Sequence, residues 1–170
     1  MCILFDKCNL ACKFCFEANK TKTIDLDYIK RLPTIFWEQF NNRADRDQFT
    51  SIEITMMGGE VFNDTLPDSL FEIYQNVVLQ TYDTFSHTSI PVIFNWLSNG
   101  VFKNRERIDK LLSATKSTIS FSYDCVGRFP SNVQKQMMLD NVQYYSGCHK
   151  LNAILITPTK SSIEQYVSGN

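Results

Sequence analysis

Cys8-Asn9-Leu10-Ala11-Cys12-Lys13-Phe14-Cys15 follows a short apolar run, Cys2–Phe5, near the start of a 170-residue chain. The stretch supplies three thiols and no obvious fourth. An ordinary iron–sulfur site or a structural zinc site takes four protein ligands. Three thiolates on a four-iron cluster leave one iron with an open position, where a substrate or cofactor can bind and react. Two other readings remain: zinc, with Cys2 or a distant residue as fourth ligand, or three unrelated buried thiols. Zinc sites more often show a Cys-x2-Cys pair with a second pair further on, and no second pair exists here. The motif alone favours the cluster and leaves the others open.

The bulk of the chain narrows the class. Its length suits one domain with a substantial core, 1–170. The net charge is -1 and no long basic or acidic run occurs, so nucleic acid and anionic membrane have no bulk electrostatic footprint. No apolar stretch is long enough to span a bilayer. Asp6 and Lys7 interrupt the N-terminus where a signal peptide needs an unbroken apolar segment. The expected location is the cytoplasm, where thiols stay reduced. Six Cys there point to metal or catalysis before disulfides.

Strand-like and helix-like segments alternate along the rest. Asp25 caps a helix towards Phe40, with Leu26, Ile29, Leu32 and Phe36 on one side, and Pro33 predicts a kink or restart inside it. Asn41–Gln48 reads as a loop. Ser51–Met57 alternates as a strand, and a helix is expected from about Pro67 to Tyr82. Ile90–Leu97 is a strand, Asn104–Ser113 a short helix, Thr118–Tyr123 a strand, and Ser131–Tyr145 a helix carrying Val133, Met137, Met138 and Val142. Leu151–Ile156 is a fifth strand, broken by Thr157-Pro158, and Ser161 or Ser162 can cap a last helix. Regular βα alternation means parallel strands joined by right-handed crossovers. Five strands cannot close an eight-stranded barrel, so the expected fold is α/β, an open partial (β/α) barrel of about five units.

Parallel βα folds bind ligands at the C-terminal ends of their strands. That rule selects the three Cys after the first strand, Gly58-Gly59-Glu60 after the second and Ser98-Asn99-Gly100 after the third. The fourth ends in Ser122-Tyr123-Asp124 and the fifth in Thr157-Pro158. Paired glycines let a backbone approach a ligand closely, although a Gly-Gly pair is more often simply a turn. Asn-Gly is likewise a common turn, and a strand-end Asp often caps the next loop. Ile154 and Ile156 on the fifth strand are core residues or apolar contacts for a ligand. Cys125 follows Asp124 directly, at a position facing substrate or packed inside. Cys2 and Cys148 read as small buried or incidental thiols. His87 and His149 have no partner spacing that suggests a metal or a catalytic base.

In order and in position, this set resembles the core of the radical S-adenosylmethionine (radical SAM) enzymes over Cys8 to about Pro158. The Cys-x3-Cys-x2-Cys spacing, with Phe14 before the last Cys, matches that family's cluster motif. The resemblance implies a [4Fe-4S] cluster on Cys8, Cys12 and Cys15, with S-adenosylmethionine chelating the fourth iron. It implies that Phe14 lies over the adenine. Gly58, Gly59 and Glu60 match the Gly-Gly-Glu-Pro motif that bonds the cofactor's amino group, with Val61 standing in place of Pro. Ser98 and Asn99 match a Thr-Asn-Gly segment. Ser122 and Asp124 match a Ser-x-Asp segment that reaches the ribose or the methionyl carboxylate, and Ile156 can touch the adenine. A flavodoxin-like or ferredoxin-like donor would supply one electron. The motif style is similar to peptide- and protein-modifying members, such as anaerobic sulfatase-maturating enzymes, which makes a peptide or protein the expected substrate. The sixth strand of a family core has no counterpart in the sequence, so the domain is expected to be incomplete at its C-terminus. A glycyl-radical activating enzyme, or a zinc- or cluster-stabilised interaction module without catalysis, is the alternative.

Overall fold

A computed structural model describes residues 1–12, 15, 24–124, 128–156, 163, 164 and 167. Five strands form one parallel sheet in the order β1-β2-β3-β4-β5: β1 Cys2–Ile3, β2 Ile52–Met57, β3 Val92–Ser98, β4 Thr118–Tyr123 and β5 Leu151–Ile156. Helices α1 Leu26–Asn41, α2 Asp68–Phe85, α3 Arg105–Thr115 and α4 Asn132–Gly147 lie between them in sequence. Spatial order follows chain order without a reversal. With crossovers of one hand, such an order winds every helix onto the same side, which curves the sheet as in a partial barrel. The sheet is open, and β1 and β5 are its edges.

Local sequence explains most boundaries. Asp25 accepts from the Tyr28 amide at 2.9 Å and opens α1. The helix is continuous through Pro33, so the expected restart does not occur, although Pro33 brings no N–H to bond the preceding turn. Pro33 is buried beside Ile29 and Leu32, whereas Leu26 is exposed. Asn104 caps α3 and Ser131 caps α4, each accepting from the amide three residues on. α2 extends to Phe85 because Thr81 and Phe85 continue its buried stripe of Leu70, Tyr74, Val77 and Val78. The loop expected at Asn41–Gln48 contains a 3-10 turn, Arg46–Gln48.

Helix α4 departs from its apolar reading. Val133 is 70 % exposed, and the buried positions are Met138, Asn141 and Tyr145. Asn141 is buried because its amide bonds the Gly100 carbonyl at 2.8 Å and the Phe102 carbonyl at 3.0 Å, and Arg105 at 2.6 Å takes its oxygen. A polar residue is kept inside here because all its groups are used. The bonds fasten α4 to the loop after β3. Gly100 has φ 76°, and an added Cβ would press on Met138 and Phe121, so glycine is required there.

The core lies between the sheet and the helices. Trp96, Tyr74, Phe62, Phe94, Phe102, Phe121 and Tyr145 are its largest buried side chains. Trp96 keeps its indole N–H bonded to Ser117 at 3.0 Å. Strand β5 is different: Ile154 and Ile156 are 43 % and 65 % exposed, so they are not core. Among the described residues no helix is long and apolar enough to cross a membrane.

Asn141→Leu leaves two buried carbonyls and the Arg105 guanidinium without this partner. The expected loss is about 2–3 kcal/mol, read as a lower urea midpoint; an unchanged midpoint would show that α4 is held by apolar packing alone.

Candidate functional site

The C-terminal ends of β1 to β4 place four loops against one another. The Gly58-Gly59-Glu60 segment backs directly onto the start of the Cys loop. The Gly59 amide donates to the Phe5 carbonyl at 2.7 Å and the Glu60 amide to the Lys7 carbonyl at 2.9 Å. A Cβ on Gly58 would lie 2.6 Å from the Phe5 oxygen, and one on Gly59 would strike the Asp6 and Lys7 carbonyls. The two glycines are therefore required by close approach. What approaches on this side is the chain's own backbone, Phe5–Lys7. Val61 is fully buried, so packing holds the segment where the family motif has a proline ring.

Glu60 is 1 % exposed. Its Oε1 accepts from the Ser98 hydroxyl at 2.7 Å and the Phe62 amide at 2.9 Å, and its Oε2 accepts from the Asn99 amide at 2.7 Å. Burial pushes the carboxyl up to about 7, against the three donors and the Arg128 charge, which pull it down. The side chain ties the β2 loop to the β3 loop. A second tie lies beside it, where Asp64 accepts from the amides of Lys103 and Asn104. Arg107 adds bonds to the Asn63 and Leu66 carbonyls and stacks on Phe71.

The β3 loop also reaches the Cys loop. Asn99 donates from Nδ2 to Asn9 Oδ1 at 2.8 Å and to Cys8 Sγ at 3.7 Å. Its Oδ1 accepts from the Val101 amide at 2.8 Å, and Asn9 Nδ2 donates to the Val101 carbonyl at 2.6 Å. Cys8 Sγ accepts a further N–H from Leu10 at 3.4 Å. From the fourth loop, Arg128 donates to the Ser122 hydroxyl at 2.8 Å, and Ser122 lies 3.5 Å from the Ser98 carbonyl. The Cys12 thiol donates to the Arg128 carbonyl at 3.8 Å. Asp124 is buried at the end of β4.

The structure thus brings together Cys8, Cys12, Gly58, Gly59, Glu60, Ser98, Asn99 and Ser122, with Asp124 at the same rim. Cys15 is partly buried, and its amide bonds the Cys12 carbonyl at 3.2 Å. Ile156 pairs with Tyr123 at the strand end and is exposed. Phe14, Cys125, Thr157, Pro158, Ser161 and Ser162 lie outside the described residues. Cys2 is buried, as one reading of it required, whereas Cys148 is exposed. A groove of about 340 Å³, lined by Phe36, Phe40, Phe49, Ile52 and Phe85, sits by the start of β2, away from these loops.

Asn9, Arg128 and Asn141 belong to this network and were not singled out from the sequence. Asn9 adjoins Cys8, which is a signal of place and not of role. Nothing local marks Arg128 or Asn141: Arg128 meets Ser122 and the distant Cys12, and the partners of Asn141 are 36–41 residues away.

Cys8, Cys12 and Cys15 are reduced, partly exposed thiols on one loop. Their donor type suits an iron–sulfur cluster, and N–H groups at Cys8 Sγ suit a ligating thiolate. Among the described residues no three His, Cys, Asp or Glu side chains are gathered around a metal-sized point. The donors fit by chemistry and by loop.

No family model matches the chain, and no curated protein matches it. Among solved structures it is similar to "Native anSMEcpe with bound AdoMet", an anaerobic sulfatase-maturating enzyme, with a TM-score of 0.58 and 14 % identity. The match covers 90 % of this chain and 43 % of that one, so the chain spans less than half of its neighbour's length. At this identity the likeness shows the fold.

The Glu60 carboxyl is held above its ordinary 4.5, at about 7, so the folded chain binds its proton more tightly than the unfolded chain. Stability therefore falls as pH rises from about 4.5 to about 7, by at most about 3 kcal/mol from this group. Glu60→Gln, neutral throughout, should flatten that slope in urea midpoints measured at pH 5 and pH 7. Equal slopes in both chains would show that Glu60 titrates normally. Gly59→Ala should lower the stability by about 2 kcal/mol or more, read as a lower urea midpoint; a neutral outcome would mean that the Cys loop moves aside freely.

Proposed function

We propose that the chain is a radical SAM core that binds a [4Fe-4S] cluster and S-adenosylmethionine at the rim formed by its first four strands. The observation that supports this best is the three-thiol loop seated by Gly58, Gly59 and Asn99 at the C-terminal ends of parallel strands. The fold likeness to an enzyme described with bound AdoMet agrees with that reading.

Cys8, Cys12 and Cys15 would hold the cluster and leave one iron for the cofactor's amino and carboxylate groups. When bound, the pair supplies a one-electron cleavage of the carbon–sulfur bond, giving methionine and a 5′-deoxyadenosyl radical that takes hydrogen from a substrate. The chain's own residues position and shield. Gly58 and Gly59 keep the Cys loop tight against β2, and Glu60 fixes the β3 loop beside it. Ser122, held by Arg128, and buried Asp124 offer a hydroxyl and a carboxyl for the cofactor's polar end. Phe14 and Ile156 are the proposed apolar contacts for the adenine. A flavodoxin-like or ferredoxin-like protein is the proposed electron donor, and a peptide or protein the proposed substrate.

The test is formation of 5′-deoxyadenosine after anaerobic reconstitution with iron and sulfide, using dithionite and S-adenosylmethionine. The expected result is product in the native chain and none in Cys12→Ala, which should also lose most of its iron. Product retained in Cys12→Ala would overturn the ligand assignment. A full cluster that yields no product would overturn catalysis by this chain alone.

A further inference from the structure

We propose that Asn9 and Asn99 form an amide clasp that aims an N–H at the Cys8 sulfur, positioning that ligand and tuning the cluster's reduction potential. The inference rests on the reading that Cys8 ligates a cluster, and it gives Asn99 a role on the ligand side of the metal.

The oxygen and nitrogen of an Asn amide are alike in shape, so orientation must come from partners. Val101 provides them from its main chain, where the N–H can only donate and the carbonyl can only accept. The Val101 amide faces Asn99 at 2.8 Å, which fixes that atom as Oδ1. The Val101 carbonyl faces Asn9 at 2.6 Å, which fixes that atom as Nδ2. Asn9 Oδ1 then accepts from Asn99 Nδ2 at 2.8 Å, and it also lies 3.9 Å from Cys8 Sγ, as an acceptor for the free thiol. Flipping either amide sets like against like at Val101 and again between the two side chains. One arrangement satisfies every group, and in it the atom of Asn99 nearest Cys8 is a donor.

That nitrogen carries two protons. One serves Asn9, and Cys8 Sγ lies 3.7 Å away, within reach of the other. Asn99 is 5 % exposed and Cys8 is partly buried, so the contact is part-screened from water. Its backbone is pinned by Glu60 at 2.7 Å, and the next residue, Gly100, by Asn141 at 2.8 Å. The donor is therefore carried on a rigid support. Hydrogen bonds to ligand sulfur draw charge from the metal, favour the reduced state and raise the potential.

The test uses Asn99→Asp, Asn99→Leu and Asn9→Ala in the full chain. Asn99→Asp keeps an acceptor for Val101 and turns an oxygen towards Cys8. Asn99→Leu removes the donor without adding charge. The first readout is the midpoint potential of the reconstituted cluster, followed by electron paramagnetic resonance. Both Asn99 variants should shift it to more negative values, and Asn9→Ala should shift it less. The second readout is hydrogen exchange over residues 8–12 in the metal-free chain, expected to rise several-fold in all three variants. Wild-type potential in Asn99→Leu overturns the proposal, even if exchange rises, because the pair would then be only a brace. If the native chain takes up no iron, the functional reading fails separately. The exchange arm then decides only whether the clasp positions Cys8: unchanged exchange overturns that, and faster exchange supports it while the tuning falls with the functional reading.

Discussion

A single buried carboxylate holds the rim together. Glu60 has no access to water, and its oxygens are taken by Ser98, Asn99 and Phe62. A buried carboxyl with three donors costs much less than a bare one, and in exchange it fixes two loops relative to each other. The placement of Asn99 against the Cys loop depends on that tie. Asn99 reaches Cys8 and Asn9 because its own amide is held by Glu60. The Gly58–Gly59 pair, one residue upstream, makes the flat surface against which Phe5–Lys7 lies.

This arrangement separates two jobs that one motif can perform. The glycines and Glu60 were read from the sequence as ligand contacts, on resemblance. In the structure the space beside the glycines is filled by the Phe5–Lys7 backbone, and the Glu60 oxygens accept from Ser98, Asn99 and Phe62. Such a segment acts on a ligand through the loops it positions and through its peptide backbone. The order of the strands matters for the same reason. A sheet that winds in chain order, with no reversal, brings the ends of successive strands side by side along one rim, so loops far apart in sequence become neighbours.

Much of the fold was legible. Thr118–Tyr123 and Leu151–Ile156 were read with the bounds the structure gives, because a β-branched alternating run and a short apolar run between turn signals have few other solutions. The helix cap at Asp25 was likewise visible, since capping is chemistry within four residues, and the helices at Asn104 and Ser131 were read as starting at the residues that cap them. What escaped was non-local. Pro33 did not break α1, because burial of one face outweighs one missing hydrogen bond. Val133 looked like a core residue by spacing and is exposed, while Asn141, polar and unremarked, is fully buried by partners some 40 residues away. At the site, the residue types and their rim were readable, and the pairings Glu60–Ser98, Asn9–Asn99 and Arg128–Ser122 were not. Periodicity reports which face a residue takes and says nothing about which distant group it meets.

The central claim is that the loop of Cys8, Cys12 and Cys15 takes a cluster with one iron reserved for a cofactor. The most direct measurement is Mössbauer spectroscopy of the chain reconstituted with iron-57 and sulfide, with and without S-adenosylmethionine. The account predicts a four-iron cluster in which one iron alone changes its isomer shift when the cofactor is added. A spectrum that does not respond to the cofactor would contradict it, as would a chain that binds stoichiometric zinc and no sulfide.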